Sequence, residues 1–226
     1  MDWADLGNPS PLPEPKPYAP IPWFDAGSVR LPPWNTDCLA LEPFGRLLEQ
    51  RRTRRTFEAI DLAMLSTFLG VTCRVQLIGN RSLGFPLTLR PTPSAGAIHP
   101  IHLLIIGPNA DSWLRYDPFE HTLRCVPSAC DPRAVHQAMQ AVLPAPSATL
   151  LLLAAEPGMT ASKYAQPSSL VWRDAGVLLG FLAMGAQALD LSFCPLGITG
   201  EPYVSRLLDQ PGLTGVGGAF VGAAPR

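Results

Sequence analysis

The chain has 226 residues, 47% of them apolar, with 17 basic and 18 acidic side chains and a formal net charge of -1. This is enough for one domain with a sizeable core, and so even a charge balance leaves no global basic field to attract nucleic acid. The longest apolar run, Val177 to Ala186, is too short to cross a bilayer, and the acidic, proline-rich N-terminus lacks the basic and apolar regions of a signal peptide, so a cytoplasmic protein without a membrane partner is expected.

Residues 1–40 hold nine prolines, several alternating at Pro9, Pro11, Pro13, Pro15 and Pro17, which favours an extended polyproline-like arm. Trp3, Trp23, Phe24 and Trp34 give that arm something to bury, and it is expected to wrap over its own domain or a partner subunit. Pro43 to Arg52 then reads as a helix, with Phe44, Leu47 and Leu48 on one face. Asp61 is a good N-cap for a helix over Leu62 to Leu69, with Gly70 as its stop. Ile101 to Ile106 is a continuous apolar run ended by Gly107-Pro108, hence a buried strand. Trp113 to Tyr116 and Thr122 to Val126 flank Asp117-Pro118 and read as a hairpin.

Pro132 to Leu143 makes a helix and Thr149 to Ala155 a second buried strand. Trp172 to Leu191 is the longest helical pattern. Its small residues, Gly176, Gly180, Ala183, Gly185, Ala186 and Ala188, mark it as an interface helix. Val216 to Gly222 is a last, glycine-broken strand. Helices alternating with hairpins and buried strands, without a βαβ series, argue for a mixed or antiparallel sheet between helices, an α+β sandwich.

Five cysteines, Cys38, Cys73, Cys125, Cys130 and Cys194, include no C-x-x-C pair and read as reduced structural thiols. His99 and His102 sit in a strand-like run that turns their side chains to different faces, and no nearby donors complete a metal set, so no metal is expected.

Two segments carry the chemistry. Arg51-Arg52-Thr53-Arg54-Arg55-Thr56-Phe57 packs four arginines at the end of a helical pattern, where they need an anion; alone it would equally suit a solvated charge run favoured by the helix macrodipole. Pro93-Ser94-Ala95-Gly96-Ala97-Ile98-His99-Pro100 is a small-residue turn that offers a hydroxyl and backbone donors to a planar, phosphate-bearing ligand, and alone it is ordinary turn punctuation.

With the spacing R-R-[ST]-x-R-x-F and then P-S-A-G-A-x-H-P, the chain resembles the flavin-dependent nitroreductase superfamily, in particular its SagB-type branch, the azoline dehydrogenases that act on ribosomal peptides. The similarity runs from about Leu41 to Arg226 and implies an FMN-binding nitroreductase-like domain over 41–226, preceded by the arm of 1–40. It further implies a homodimer with each flavin near the junction. By resemblance Arg51, Arg52 and Thr53 hold the flavin phosphate and ribityl chain, while Arg55 lies near the ring's N1 and O2. Pro93, Ser94, Ala95, Gly96 and His99 form the flavin-contacting turn. Leu196-Gly197, after Cys194-Pro195, resembles the segment whose backbone N–H reaches flavin N5, and Arg226 stands where the family often carries a basic residue against the phosphate.

Lys163-Tyr164 resembles the Lys-Tyr dyad of the SagB-type pattern K-Y-x-x-R-x-Y-R, which takes the proton when an azoline becomes an azole. Adjacent lysine and tyrosine make a credible acid/base unit, since each can steady the other's reactive form. Pro167 replaces the pattern's arginine and Trp172-Arg173 its Tyr-Arg, with one residue fewer before Gly176. The pair also reads as an exposed loop lysine beside a partly buried tyrosine. The resemblance implies an FMN-dependent dehydrogenase, with a nicotinamide-dependent nitro, quinone or enone reductase, or a catalytically diverged interaction subunit, as alternatives.

Overall fold

The structure, a computed structural model, describes residues 4–35 and 43–225; Trp3, Cys38 and Arg226 lie outside them. The helices are α1 (Phe44–Gln50), α2 (Leu62–Cys73), α3 (Pro132–Gln140), α4 (Pro157–Ala161) and α5 (Ser168–Ala188). The strands are β1 (Ser10–Pro11), β2 (Ser28–Arg30), β3 (Leu77–Ile78), β4 (Thr88–Leu89), β5 (Ile101–Ile106), β6 (Trp113–Asp117), β7 (Thr122–Val126), β8 (Thr149–Ala155), β9 (Tyr164–Ala165), β10 (Leu191–Leu196) and β11 (Thr214–Ala223). Seven of them form one sheet in the order β10, β11, β8, β5, β6, β7, β2, with every neighbouring pair antiparallel.

The continuous apolar runs of β5 and β8 make physical sense at the centre of this sheet, because both faces there are covered and alternate side chains enter different cores. Leu103, Ile105, Leu151 and Leu153 pack beneath α2 and α5 with Phe68, Leu182 and Ala186. Leu104, Ile106, Leu150 and Leu152 face the other way, against Val135 and Met139 of α3 and against Phe220. The molecule is thus the α+β sandwich that the pattern of elements predicts.

Several boundaries differ from the sequence reading: α1 is confined to Phe44–Gln50, α3 ends at Gln140, and β11 runs over Thr214–Ala223. Gly70 does not stop α2, which runs on to Cys73. Its bare Cα is a packing site, since a Cβ there would stand 2.8 Å from the Cβ of Trp34. The long helix begins four residues before Trp172 and ends at Ala188, where Asp190 (φ 52) reverses the chain. The following residues, Leu191–Leu196, form β10 instead of continuing the helix. Pro195, which would break a central ladder, is tolerated there because β10 is an edge strand.

The arm wraps its own domain. β1 pairs with β9, β2 extends the outer edge of the large sheet, and Ile21 and Leu31 are buried. Trp34 covers Gly70 and stacks edge-on with His121, and Trp23 meets His102 at 4.9 Å between ring centroids. Phe24, expected to help, is 68% exposed. The arm is tied down by a buried carboxylate, Glu156, which accepts from Ile21 N (2.6 Å) and from His102 Nε2 (2.8 Å). Those bonds hold Glu156 below the usual carboxylate range against its burial, while burial pushes His102 down, so the pair is a neutral imidazole donating to a carboxylate. His121 is also pushed down by burial. It receives the Tyr116 hydroxyl at Nδ1 and contacts Ser66 Oγ through Nε2, both at 2.8 Å.

α5 is the one described helix long and apolar enough to cross a membrane by length and composition. Here Val171, Ala175, Leu182 and Ala186 bury one of its faces on the sheet and α2. Gly185 belongs to that contact, for a Cβ on it would sit 2.4 Å from Thr72 Cγ2.

Gly185→Ala is therefore expected to lower urea stability by about 1 to 3 kcal/mol through overpacking. Gly45→Ala in α1, with nothing within 4 Å of the new methyl, should gain up to about 1 kcal/mol of helix propensity. Indistinguishable midpoints for the two variants would contradict this packing. A second expectation concerns acid. Below the ordinary histidine value of about 6.5 the unfolded chain binds protons that His102 and His121 refuse in the fold, so stability must fall as pH drops. Urea midpoints should decline between about pH 7.5 and 5.5. A flat profile would show that both imidazoles charge freely in the folded protein.

Candidate active site

The turn after Pro93 is held from α5. Asp174, on the second turn of that helix, accepts from Ser94 Oγ at 2.6 Å and from Ala95 N at 3.1 Å, while Ser94 Oγ itself accepts from His99 N at 3.0 Å. Burial raises the Asp174 pKa, opposed by those donors and by Arg173. Sequence reasoning missed this residue, although a lone acid inside an otherwise apolar helix is the kind of signal that marks a buried partner.

Within the turn Gly96 (φ 64), Ala97 (φ 58) and His99 (φ 51) all adopt left-handed backbone, a concentration of strain that must be supported from outside. Gly96 is needed for a further reason. A Cβ on it would meet Lys163 Nζ and Tyr164 Oη at 3.0 Å each. The turn and the Lys-Tyr pair, far apart in sequence, are thus in direct apposition, with Lys163 Nζ 5.6 Å from the Tyr164 ring centroid. Tyr164 is positioned by packing on a small cluster of Leu83, Phe85, Ile98 and Met159, and the arm covers the backbone of the pair through β1 and the bond from Leu12 N to Lys163 O. His99 donates Nε2–H to Thr88 O at 3.0 Å and is pushed down to about 3 by burial and by the Arg90 charge, so its ring is neutral.

The arginine run lies elsewhere. Arg52 N contacts Gln187 Oε1 near the far end of α5, and Arg54 N donates to Phe193 O of β10. Arg52 turns its guanidinium back onto the carbonyls of Glu49 and Arg51, and Arg54 pairs with Asp190. Among the described residues Arg51 and Arg55 have no ion-pair partner. Thr53 is half-buried between them. Arg55 stands close enough to Cys194 to oppose the rise that burial imposes on that thiol. This brings the run beside the Cys194 to Gly197 segment, in which Leu196 is buried and Gly197 faces open space.

The predicted residues therefore form two groups. Arg51, Thr53 and Arg55 with Leu196 and Gly197 make one; Pro93 to His99 with Lys163 and Tyr164 make the other. The anchors Asp174 and Gln187 are thirteen residues apart on α5, about 20 Å at helical rise, so a single chain does not close both groups on one end of a ligand. Arg226 is outside the described residues. Among them, no group of three or more His, Cys, Asp or Glu side chains is placed to hold a metal ion.

No curated protein matches the sequence. Solved structures do match the fold. A nitroreductase from Ralstonia eutropha JMP134 superposes with a TM-score of 0.64 at 19% identity, covering 95% of this chain and 100% of that one. One chain of the E. coli microcin synthetase McbBCD complex with truncated pro-MccB17 gives 0.63 at 15% identity, covering 92% and 79%. A nitroreductase in complex with FMN from Desulfovibrio desulfuricans gives 0.51 at 17% identity, covering 83% and 92%. Residues 48–222 match the model of the Nitroreductase family, most of the chain and all of the elements that carry both groups of site residues, and the protein belongs to that family.

Proposed function

We propose that the protein is an FMN-dependent oxidoreductase of SagB-like type, which oxidises a C–H bond of an azoline-type ring in a modified peptide. The observation that carries this reading is the apposition of Gly96 with Lys163 and Tyr164, which sets an acid/base pair against the small-residue turn expected to meet the flavin. The residues fit such a cofactor. Among the described residues Arg51 and Arg55 are cations without an ion-pair partner, and Gly197 offers an open backbone beside them. When bound, FMN supplies a hydride acceptor at its N5 atom.

The chain's own residues divide the remaining work. Arg51 and Thr53 hold the phosphate end, Arg55 presents positive charge to the ring, and the Gly96 turn limits how closely the ring approaches. Lys163 and Tyr164 together take up the proton released from the substrate. A likeness to one chain of a peptide-bound synthetase complex, and to an FMN-bound nitroreductase, is in keeping with both halves of this reading.

A nicotinamide-dependent reductase of nitro, quinone or enone compounds is the second reading, favoured by Pro167, which caps α5 where the SagB-type pattern has arginine. A catalytically diverged interaction subunit is favoured by the capture of the Ser94 hydroxyl and the Ala95 N–H by Asp174. In each case residues 41–226 form the binding domain, residues 1–40 a strap, and the protein acts in the cytoplasm.

The separation of the two groups along α5 is resolved in a homodimer in which each flavin takes its phosphate contacts from one protomer and its turn from the other. α5 presents a suitable face: Trp172, Val177 and Phe181 are 42%, 37% and 39% exposed, and Gly176 and Gly180 have nothing within 4 Å of a built Cβ. Gly185, spent on α2, is not part of that face.

The purified protein should be yellow. Arg51→Ala removes a charge-assisted phosphate contact worth about 1.5 to 3 kcal/mol, so flavin occupancy should drop roughly tenfold or more. Lys163→Ala and Tyr164→Phe should keep the flavin spectrum while turnover falls about a hundred- to ten-thousandfold. Full turnover in both would remove the dyad from the chemistry and favour the reductase, and a colourless protein that takes up no added FMN would favour the subunit. For the dimer, Val177→Glu is expected to give a monomer with depleted flavin by light scattering and absorbance. A dilute wild-type monomer that retains its flavin would rule the shared site out.

A further inference from the structure

The large sheet is open in its middle. β5 pairs with β8 from Ile101 to Ile106 but with β6 only at Leu104 and Ile105. Tyr116 and Asp117 stay paired with β7, while Ile101, His102 and Leu103 have no partner on β6. The two strands splay beyond Arg115, and a cavity of about 190 Å³ fills the opening. Residues of both cores line it, Cys73 and Tyr116 from the α2 side and Trp23 from the other.

Two guanidiniums enter this cavity, from Arg90 and Arg115. Among the described residues neither has a carboxylate partner. Arg90 donates Nε to Thr88 Oγ1 at 3.1 Å and lies 5.9 Å from the Phe119 ring centroid. Arg115 lies 4.7 Å from the Trp23 ring centroid, and its Nε is buried without any hydrogen-bond partner. Trp23 Nε1 is a second buried donor in the same condition. Burial lowers the pKa of both arginines, that of Arg90 to about 10, and both charges press on His102 between them.

The acids nearby are already committed. Glu156 is bonded to His102 and Ile21, Asp174 to Ser94 and Ala95, and Asp117 to Phe119 N, Glu120 N and Arg124. His99 and His102 are neutral and add no charge. A desolvated cation that no carboxylate contacts, compensated only at longer range by Asp117, Asp25 and Glu156, and a buried N–H without an acceptor are each costly, and one anion in the opening answers both.

The walls decide what kind of anion. Phe85, Ile98, Met159 and Leu178 are apolar, and a cavity of about 150 Å³ with such walls is enough to hold benzene. A guanidinium fork matches a planar carboxylate. We propose that the opening between β5 and β6 is a binding site for a small aromatic carboxylate, its carboxylate held by Arg90 and Arg115 and its ring against Ile98, Met159 and Leu178. The cavity adjoins the turn of the flavin reading, whose Pro93, Ser94 and His99 line it together with Asp174, but Arg90 and Arg115 have no part in that reading.

Titration calorimetry of the purified protein with benzoate, benzamide and inorganic phosphate tests it. Benzoate should bind saturably with one site per chain, benzamide should bind at least tenfold more weakly, and phosphate at equal concentration should not displace benzoate. Arg115→Met and Arg90→Met should each weaken benzoate at least tenfold. The absence of saturable benzoate binding, equal binding of benzamide, displacement by phosphate, or unchanged affinity in both variants would overturn the proposal. If a variant fails to fold, the comparison of benzoate with benzamide on the wild-type chain still decides.

Discussion

Asp174 is a carboxylate placed in the buried side of the longest helix, and it meets two groups of the Ser94 turn, a hydroxyl at 2.6 Å and a backbone N–H at 3.1 Å. Three left-handed residues follow within five positions, two of them not glycine, at a cost of order 1 kcal/mol or more each. Local propensity would not hold such a turn. It persists because charge-assisted bonds from a rigid helix specify it, and because the bonds are made where water does not compete. The position of Gly96, and therefore its contact with Lys163 and Tyr164, is inherited from α5. The neutral ring of His99, bonded to the Thr88 carbonyl, pins the turn's far side.

Glu156 plays the matching part for the arm. It stands at the end of the central strand β8, fully buried, and draws Ile21 N and His102 Nε2 onto one carboxylate. A proline-rich segment cannot secure itself by helix or by a long ladder, so a few strong contacts must do it. The two acids have a joint consequence. Each is consumed by hydrogen bonds that organise the surrounding chain, which leaves the arginines of β6 and of the segment after β4 without a carboxylate in contact among the described residues. A chain of nearly zero net charge thereby acquires a cationic interior opening, because charge balance over the whole molecule says nothing about balance at one buried site.

Much of the scaffold is legible in the sequence where one physical signal dominates. The apolar runs 101–106 and 149–155 read as buried strands and occur with those limits, and Asp61 caps α2 through Met64 N as its position before an apolar run implies. The errors arise where tertiary contacts override local punctuation. Gly70 reads as a stop, yet the ring of Trp34 needs its bare Cα inside the helix. Residues 189–196 continue the apolar pattern of α5 and conceal both the reversal at Asp190 and the edge strand β10. At the site, the motif residues are visible from spacing, but Asp174, Arg90 and Arg115 are not. Their meaning depends on which side chains share a buried space, and no local pattern encodes that.

In the proposed dimer the geometry of α5 joins the two groups of candidate site residues. The helix is rigid over its whole length, with Asp174 and Gln187 fixing the turn and the arginine run about 20 Å apart. A separation set by a helix does not relax when a ligand arrives, so neither group can migrate to complete the other within a chain. Two chains related by a two-fold axis through the exposed face of α5 would bring unlike ends together twice, because an isologous contact places each surface against its own copy in reverse. The small residues Gly176 and Gly180 allow close approach along that face, while Gly185 is withheld for α2. The same helix is ruler and scaffold for the strained turn, and in the proposed dimer it is the contact as well, so that a defect in any one of these functions would be felt in the other two.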